Sequence, residues 1–247
     1  MVRIACLVLL LLGSLVRPAV AAECRLALVL ALDVSGSVNE MEYRQQITGL
    51  ADALNAPDVR ALLLDGSSPP VAISVFEWSS RNHQYVIHPW AMITDRAALD
   101  RLISRIRAHQ KVRAGLKTAL GTALSVGAEM LAQTSCWQRT IDVSGDGKNN
   151  IGPTPQAVYA LPEFAGVTVN ALVVGDPASA RSDAAEVPLN KRDLLRYYEN
   201  SVIRGPGAFA MIAEGYADYG RAMRRKLLRE LKLPVFGQIE PSVIPPG

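Results

Sequence analysis

The 247-residue chain has almost no excess charge of either sign, only three histidines, no apolar run long enough to cross a bilayer, and no repeat or low-complexity tract. Each shortage excludes something. Its 26 basic residues fall to 24 without Arg3 and Arg17, which lie in an N-terminal stretch set apart below, and they then face 23 acidic residues for a formal charge of +1. That balance leaves no electrostatic footprint for a nucleic acid. The basic residues that do gather, Arg221, Arg224, Arg225, Lys226, Arg229 and Lys232, sit at the end of the last expected helix, where a solvated face complements the C-terminal dipole. His83, His88 and His109 fall beside a hairpin or at a helix end, and Ser144 lacks the first glycine of a nucleophile elbow, so serine hydrolysis has neither base nor elbow. With 49% apolar and 20% charged residues and no strongly polar tract, the composition is that of a packed globular chain.

The longest apolar run, residues 4–16, is 13 residues long, whereas a spanning helix needs roughly 20. Arg3 precedes it and Ala19, Val20, Ala21 and Ala22 follow, the pattern of a cleaved secretory signal peptide over residues 1–22. A periplasmic or secreted location without a transmembrane anchor follows. A lipid anchor on Cys24 is disfavoured because Glu23 stands where a lipoprotein signal needs a small residue. Beyond the leader two cysteines remain, Cys24 and Cys136, in a compartment where disulfides persist. They form one pair or stay as two separate buried thiols.

Residues 26–32 form an unbroken apolar run ending at Asp33, as expected of a central parallel strand buried on both faces. Asn39 and Glu42 then make a capping-box pair ahead of Tyr43, Ile47, Leu50, Ala51 and Leu54 at helical spacing. Strands are predicted over 71–78 and 84–87, with a gap of 79–83 short enough for an antiparallel hairpin. Helices follow over 95–107 and 118–132, a strand over 139–143, a short helix over 155–164 and a strand over 167–174. A helix over 191–200, a strand over 208–212 and a helix over 216–231 complete the pattern, the last with Tyr216, Tyr219, Met223, Leu227 and Leu231 inward. Alternation of this kind specifies one α/β domain over 23–233, with a doubly wound, mainly parallel sheet, one antiparallel edge strand and helices on both faces. Residues 179–188 read as a loop and 234–247 as a loose tail.

Three segments bring oxygen to one edge of that sheet. Asp33-Val34-Ser35-Gly36-Ser37 follows the first strand, Thr118 opens a helix, and Gly145-Asp146-Gly147 follows the strand over 139–143. Open α/β sheets bind their ligands along this edge. Taken alone, the first segment is an ordinary turn sequence. Thr122 and Asp142 compete with Thr118 and Asp146, but Thr122 lies one turn into the helix and Asp142 lies inside a strand, where a buried hydrogen-bonded carboxylate is its simplest role. Trp78 and Trp90 flank the hairpin, either in the core or on the rim of the site.

With these residues in place, the sequence resembles the von Willebrand factor A (vWA) domain and its metal-ion-dependent adhesion site, whose motif is Asp-x-Ser-x-Ser with a distant Thr and a distant Asp. Asp33, Ser35, Ser37, Thr118 and Asp146 match it over a resemblance spanning 26 to about 232. The stretches Glu77-Trp78-Ser79, 141–147, Tyr197-Tyr198 and 205–209 are similar to an uncharacterised exported bacterial family of such domains. The resemblance implies a doubly wound fold of the Rossmann type. It also implies a hard divalent cation, Mg²⁺ or alternatively Mn²⁺ or Ca²⁺, held through hydroxyls and two carboxylates with waters retained. Two carboxylates leave the ion electrophilic, so a protein partner offering an Asp or Glu side chain is the expected ligand, and the chain is expected to be a binding module and not an enzyme. In the same fold the strands carrying Asp33 and Asp146 are parallel neighbours, which would place Cys24 and Cys136 together at the opposite edge as a disulfide. The alternative is an Mg²⁺-dependent phosphatase of the aspartyl-phosphate kind, similar in Asp33-Val34-Ser35-Gly36-Ser37 and in Gly145-Asp146-Gly147-Lys148-Asn149-Asn150. Ser35 and Asn150 stand there in place of carboxylates, and a hydroxyl cannot protonate the leaving group as a carboxylic acid does.

Overall fold

The computed structural model describes residues 24–112, 114–175 and 191–232; the leader 1–22, the loop 179–188 and the tail 234–247 lie outside them. Strand β1 (Leu26–Asp33) is buried along its whole length. Its alternate side chains feed two separate cores, as the two-residue period of a strand demands. Leu26, Leu28, Leu30 and Leu32 pack with α1 (Glu40–Asn55), α3 (Arg96–Ala108) and α7 (Tyr219–Leu231), through residues such as Leu50, Leu102 and Leu227. Ala27, Val29 and Ala31 pack with α4 (Leu120–Leu131) and α6 (Lys191–Ser201), through Leu124 and Tyr198.

The six strands run in the order β3-β2-β1-β4-β5-β6. All neighbours are parallel except the edge pair β2 (Val71–Trp78) and β3 (Gln84–Ile93), a hairpin as expected. The others are β4 (Gln138–Gly145), β5 (Val167–Val174) and β6 (Ala210–Ala213). Two short helices, α2 (Pro57–Leu63) and α5 (Pro155–Val158), complete the set, and no described helix is long and apolar enough to cross a membrane.

Several boundaries differ from the sequence reading. Strand β3 continues past residue 87 to Ile93 through Pro89, which an edge strand tolerates because the missing N–H need not face a neighbour; the register shifts at Val75 in the partner strand. Helix α2 was not expected; it starts on Pro57, whose fixed φ suits a first helical position. The helix expected over 155–164 is broken by Pro162, which starts a separate 3-10 turn. Strand β6 is displaced towards the C-terminus by two residues at its start.

Lys226 corrects the reading of a solvated basic face. It is fully buried, with its ammonium 2.7 Å from Asp142 and 2.8 Å from Glu230. Asn170 donates to the same Glu230 oxygen at 2.8 Å. Asp142 is thus the buried, paired carboxylate its strand position suggested. Cys24 and Cys136 are joined by a disulfide, with Cα atoms 4.6 Å apart, below the start of β1 and β4.

Candidate metal centre

The turn after β1 is tied to both neighbouring segments. Val34 N–H donates to Trp78 O at 2.9 Å and Gly36 N–H to Leu116 O at 3.3 Å. A Cβ on Gly36 would stand 2.9 Å from that carbonyl, so this close approach requires glycine. Asn39 and Glu42 form the expected capping box, which starts α1 directly beyond the turn.

Thr118 precedes α4 instead of opening it. Its N–H donates to Asn150 Oδ1 at 2.8 Å, its carbonyl accepts from Asn150 N–H at 2.9 Å, and Ala119 N–H donates to Ser79 O at 2.7 Å. These bonds hold residues 118 and 119 out of the helix, which begins at Leu120. Asn149 Oδ1 accepts from Gly121 N–H at 3.1 Å. The pair Asn149-Asn150 was read only for its likeness to a phosphatase motif; in the structure it positions the threonine.

Asp146 follows the end of β4. A methyl group on Gly145 would overlap the Tyr198 hydroxyl and stand 3.3 Å from Asp33 Oδ2. The five oxygen-bearing side chains singled out in the sequence meet here. Ser37 Oγ donates to Asp146 Oδ1 at 2.7 Å, Ser35 Oγ and Ser37 Oγ lie 3.3 Å apart, and Thr118 Oγ1 lies 3.4 Å from Ser35 Oγ. Asp33 Oδ1 accepts from Ser35 N–H at 2.8 Å. Asp33, Ser35 and Thr118 form a buried floor, and Ser37 and Asp146 stand nearer to solvent. Thr122 faces Gly152 and takes no part.

Asp33 Oδ2 is buried with no hydrogen-bond partner among the described residues. Burial, and then the neighbouring Asp146 carboxylate, push the Asp33 carboxyl up to about 8, against the pull of the Ser35 N–H, the Ser35 hydroxyl and the Asp146 N–H. Burial and the same two carboxylates also push the Tyr198 hydroxyl well above its ordinary range, and it donates to Gly147 O at 3.2 Å. A buried carboxylate oxygen without a donor beside a second carboxylate is a costly arrangement for a protein alone, and it suits a cation. Among the described residues no group of three His, Cys, Asp or Glu converges as a metal site. The cluster itself offers two carboxyl groups and three hydroxyls, oxygen donors of the kind a hard cation accepts. Trp78 is in the core, and Trp90 is half-buried on the edge strand.

No protein of curated function matches the sequence. Among solved structures, the chain is similar to proximal thread matrix protein 1 of the mussel byssus with a zinc-occupied MIDAS motif, at TM-score 0.58 and 17% identity, covering 85% of this chain and 49% of that one. It is also similar to the pilus adhesin SpaC of Lactobacillus rhamnosus GG, at TM-score 0.56 and 11% identity, covering 85% and 31%. The conserved hypothetical protein BatB of Bacteroides thetaiotaomicron matches at TM-score 0.53 and 16% identity, over 83% and 98%. The chain spans about half the length of the byssus protein. At these identities the likeness shows the fold, which is vWA-like. A family model described as protein of unknown function (DUF1194) matches residues 23–235, and the chain belongs to that family.

Proposed function

We propose that this protein is an exported binding module that holds a divalent cation of the Mg²⁺ type on Asp33, Ser35, Ser37, Thr118 and Asp146, and through it an acidic side chain of a protein partner. The observation that carries this reading is the buried, partnerless Asp33 Oδ2 within a cluster of five side-chain oxygens from three separated segments. When bound, the ion supplies a Lewis-acidic position open to an incoming carboxylate. The protein's part is to present neutral hydroxyls in place of further carboxylates, which leaves positive charge for the partner to neutralise. The zinc-occupied MIDAS of the byssus protein supports such a role for this fold. The disulfide supports export, because such bonds persist in oxidising compartments.

The phosphatase reading loses support at Asn150, whose side chain and N–H are both spent on Thr118, and at Ser35, which offers no carboxylic acid.

Two measurements test the proposal. Calorimetric titration of the purified chain with Mg²⁺ is expected to show saturable 1:1 uptake that Asp33→Ala abolishes. Capture from a periplasmic extract is expected to retain a partner that chelator or Asp33→Ala releases. Uptake unaltered by Asp33→Ala would place any ion elsewhere, and a partner retained in all samples would detach binding from the cation.

A further inference from the structure

We propose that Glu77, a residue outside the oxygen cluster, is a second positioning residue for Thr118, acting through the loop before it while Asn150 holds it directly; the inference rests on the metal reading above and adds a control point to the same site. Glu77 is fully buried near the end of β2, and three segments, α1, the stretch after α3 and the β2–β3 turn, converge on its carboxyl group. Oε2 accepts from the Tyr43 hydroxyl of α1 at 3.2 Å and lies 3.1 Å from His109 Nε2, just past α3. Oε1 receives Val112 N–H at 3.2 Å and lies 3.3 Å from His83 Nε2 of the hairpin. Burial, and next Glu77 itself, hold the Tyr43 hydroxyl far above its ordinary range, which keeps it a donor. Among the described residues no Lys or Arg pairs with this carboxyl, so its hydrogen-bond partners are the His109 imidazole, the Tyr43 phenol and a backbone amide, with His83 close by.

The next residues of β2 and its turn extend the grip along the same loop. Ser79 Oγ accepts from Gly115 N–H at 3.0 Å, Ser80 Oγ accepts from Lys117 N–H at 3.2 Å, and Ser79 O accepts from Ala119 N–H. Val112, Gly115, Lys117 and Ala119 thus donate to one short stretch, residues 77 to 80, on both sides of Thr118, whose own N–H and carbonyl are held by Asn150. The same stretch holds the other ligand segment, because Trp78 O accepts from Val34 N–H. Glu77-Trp78-Ser79 therefore links the segments carrying Asp33 and Thr118, which have no covalent reason to keep a fixed spacing.

Such outer partners of ligand residues typically set metal affinity by about 10- to 100-fold. The test is a double-mutant cycle on Mg²⁺ affinity, measured by calorimetry for wild type, Glu77→Ala, Thr118→Ala and the double variant. Glu77→Ala is expected to weaken Mg²⁺ by about 10-fold, and by less than about 2-fold when Thr118 is already alanine. Glu77→Gln, which keeps an acceptor for Val112 N–H, is expected to fall between alanine and wild type. Amide exchange at Val112, Gly115, Lys117 and Ala119 should quicken in Glu77→Ala while Leu30 and Ile141 stay protected. If Glu77→Ala fails to fold, Glu77→Gln carries the same cycle, with the loss again expected to shrink when Thr118 is already alanine. Equal losses in both Thr118 backgrounds, or no loss at all, would overturn the inference and leave the metal reading standing. A wild-type protein that takes up no Mg²⁺ would overturn both.

Discussion

At the scale of the single residue, Asp33 connects protonation to the cation. Its carboxyl is pushed up to about 8 by burial and by Asp146, so the metal-free folded protein keeps a proton that the unfolded chain releases near pH 4. A raised folded pKa makes this group increasingly destabilising as pH rises from about 4 to about 8. A cation must displace the same proton. Calorimetry at pH 6.5 in two buffers of different ionisation enthalpy is expected to show close to one proton released per Mg²⁺ bound, declining above pH 8, with apparent affinity rising across that range. Identical heats in both buffers would mean that Asp33 is already ionised or is not a ligand. Gly145→Ala tests the packing of the same corner: its new methyl group overlaps the Tyr198 hydroxyl and crowds Asp33 Oδ2. It is expected to weaken Mg²⁺ by an order of magnitude or more, by analogy with displaced ligand supports. The five oxygens were legible in the sequence because each segment carries its own local pattern of turn or helix start. Glu77, Asn150 and the paired histidines were not, because what makes each one matter is a partner thirty or so residues away, and no periodicity marks such a meeting. Lys226 was misread for the same reason, since Asp142 on a distant strand decides its burial.

At the scale of elements, β1 and β4 lie side by side and form the axis of the molecule, with the oxygen cluster at one end and the Cys24–Cys136 disulfide at the other. The order of elements was readable from alternating apolar runs. Their limits were not where a hydrogen-bond partner from elsewhere stops or extends them: the Asn150 side chain and the Ser79 carbonyl delay α4, and hairpin pairing carries β3 past Pro89. The separation of the two ends makes a prediction. Replacing both cysteines with serine opens a loop closed across 112 residues and should lower stability by about 4 kcal/mol in the chain-entropy account. Mg²⁺ affinity of the folded fraction should change less than about 2-fold, because sites this far apart without shared partners behave additively. Urea unfolding paired with Mg²⁺ titration separates the two effects, and a large loss of affinity would show that strain is transmitted along the strands.

For the whole molecule, the decisive feature is that burial raises the pKa of two carboxyl groups on different faces of one sheet. Asp142 is pushed up to about 8, first by burial and then by Glu230, with Lys226 pulling it down. One ammonium between two carboxyl groups leaves a proton to be kept when α7 docks on β4 and β5. Like Asp33, Asp142 has a folded value above its unfolded one, so its contribution also turns unfavourable as pH climbs from about 4 to about 8. The metal-free protein should therefore be most stable in mild acid and lose stability towards pH 8, and each of two independent changes should remove part of that slope. Saturating Mg²⁺ should remove the part due to Asp33, and Asp142→Asn the part due to Asp142, since asparagine keeps the shape without a proton to lose. Lys226→Met should instead be damaging at neutral pH, by about 3–5 kcal/mol, because it leaves the buried carboxyl groups without their cation. Urea unfolding at pH 5, 6.5 and 8, with and without Mg²⁺, resolves all three. A slope that Asp142→Asn leaves intact would mean that α7 docks with both carboxylates ionised, and the buried proton would have to be given up.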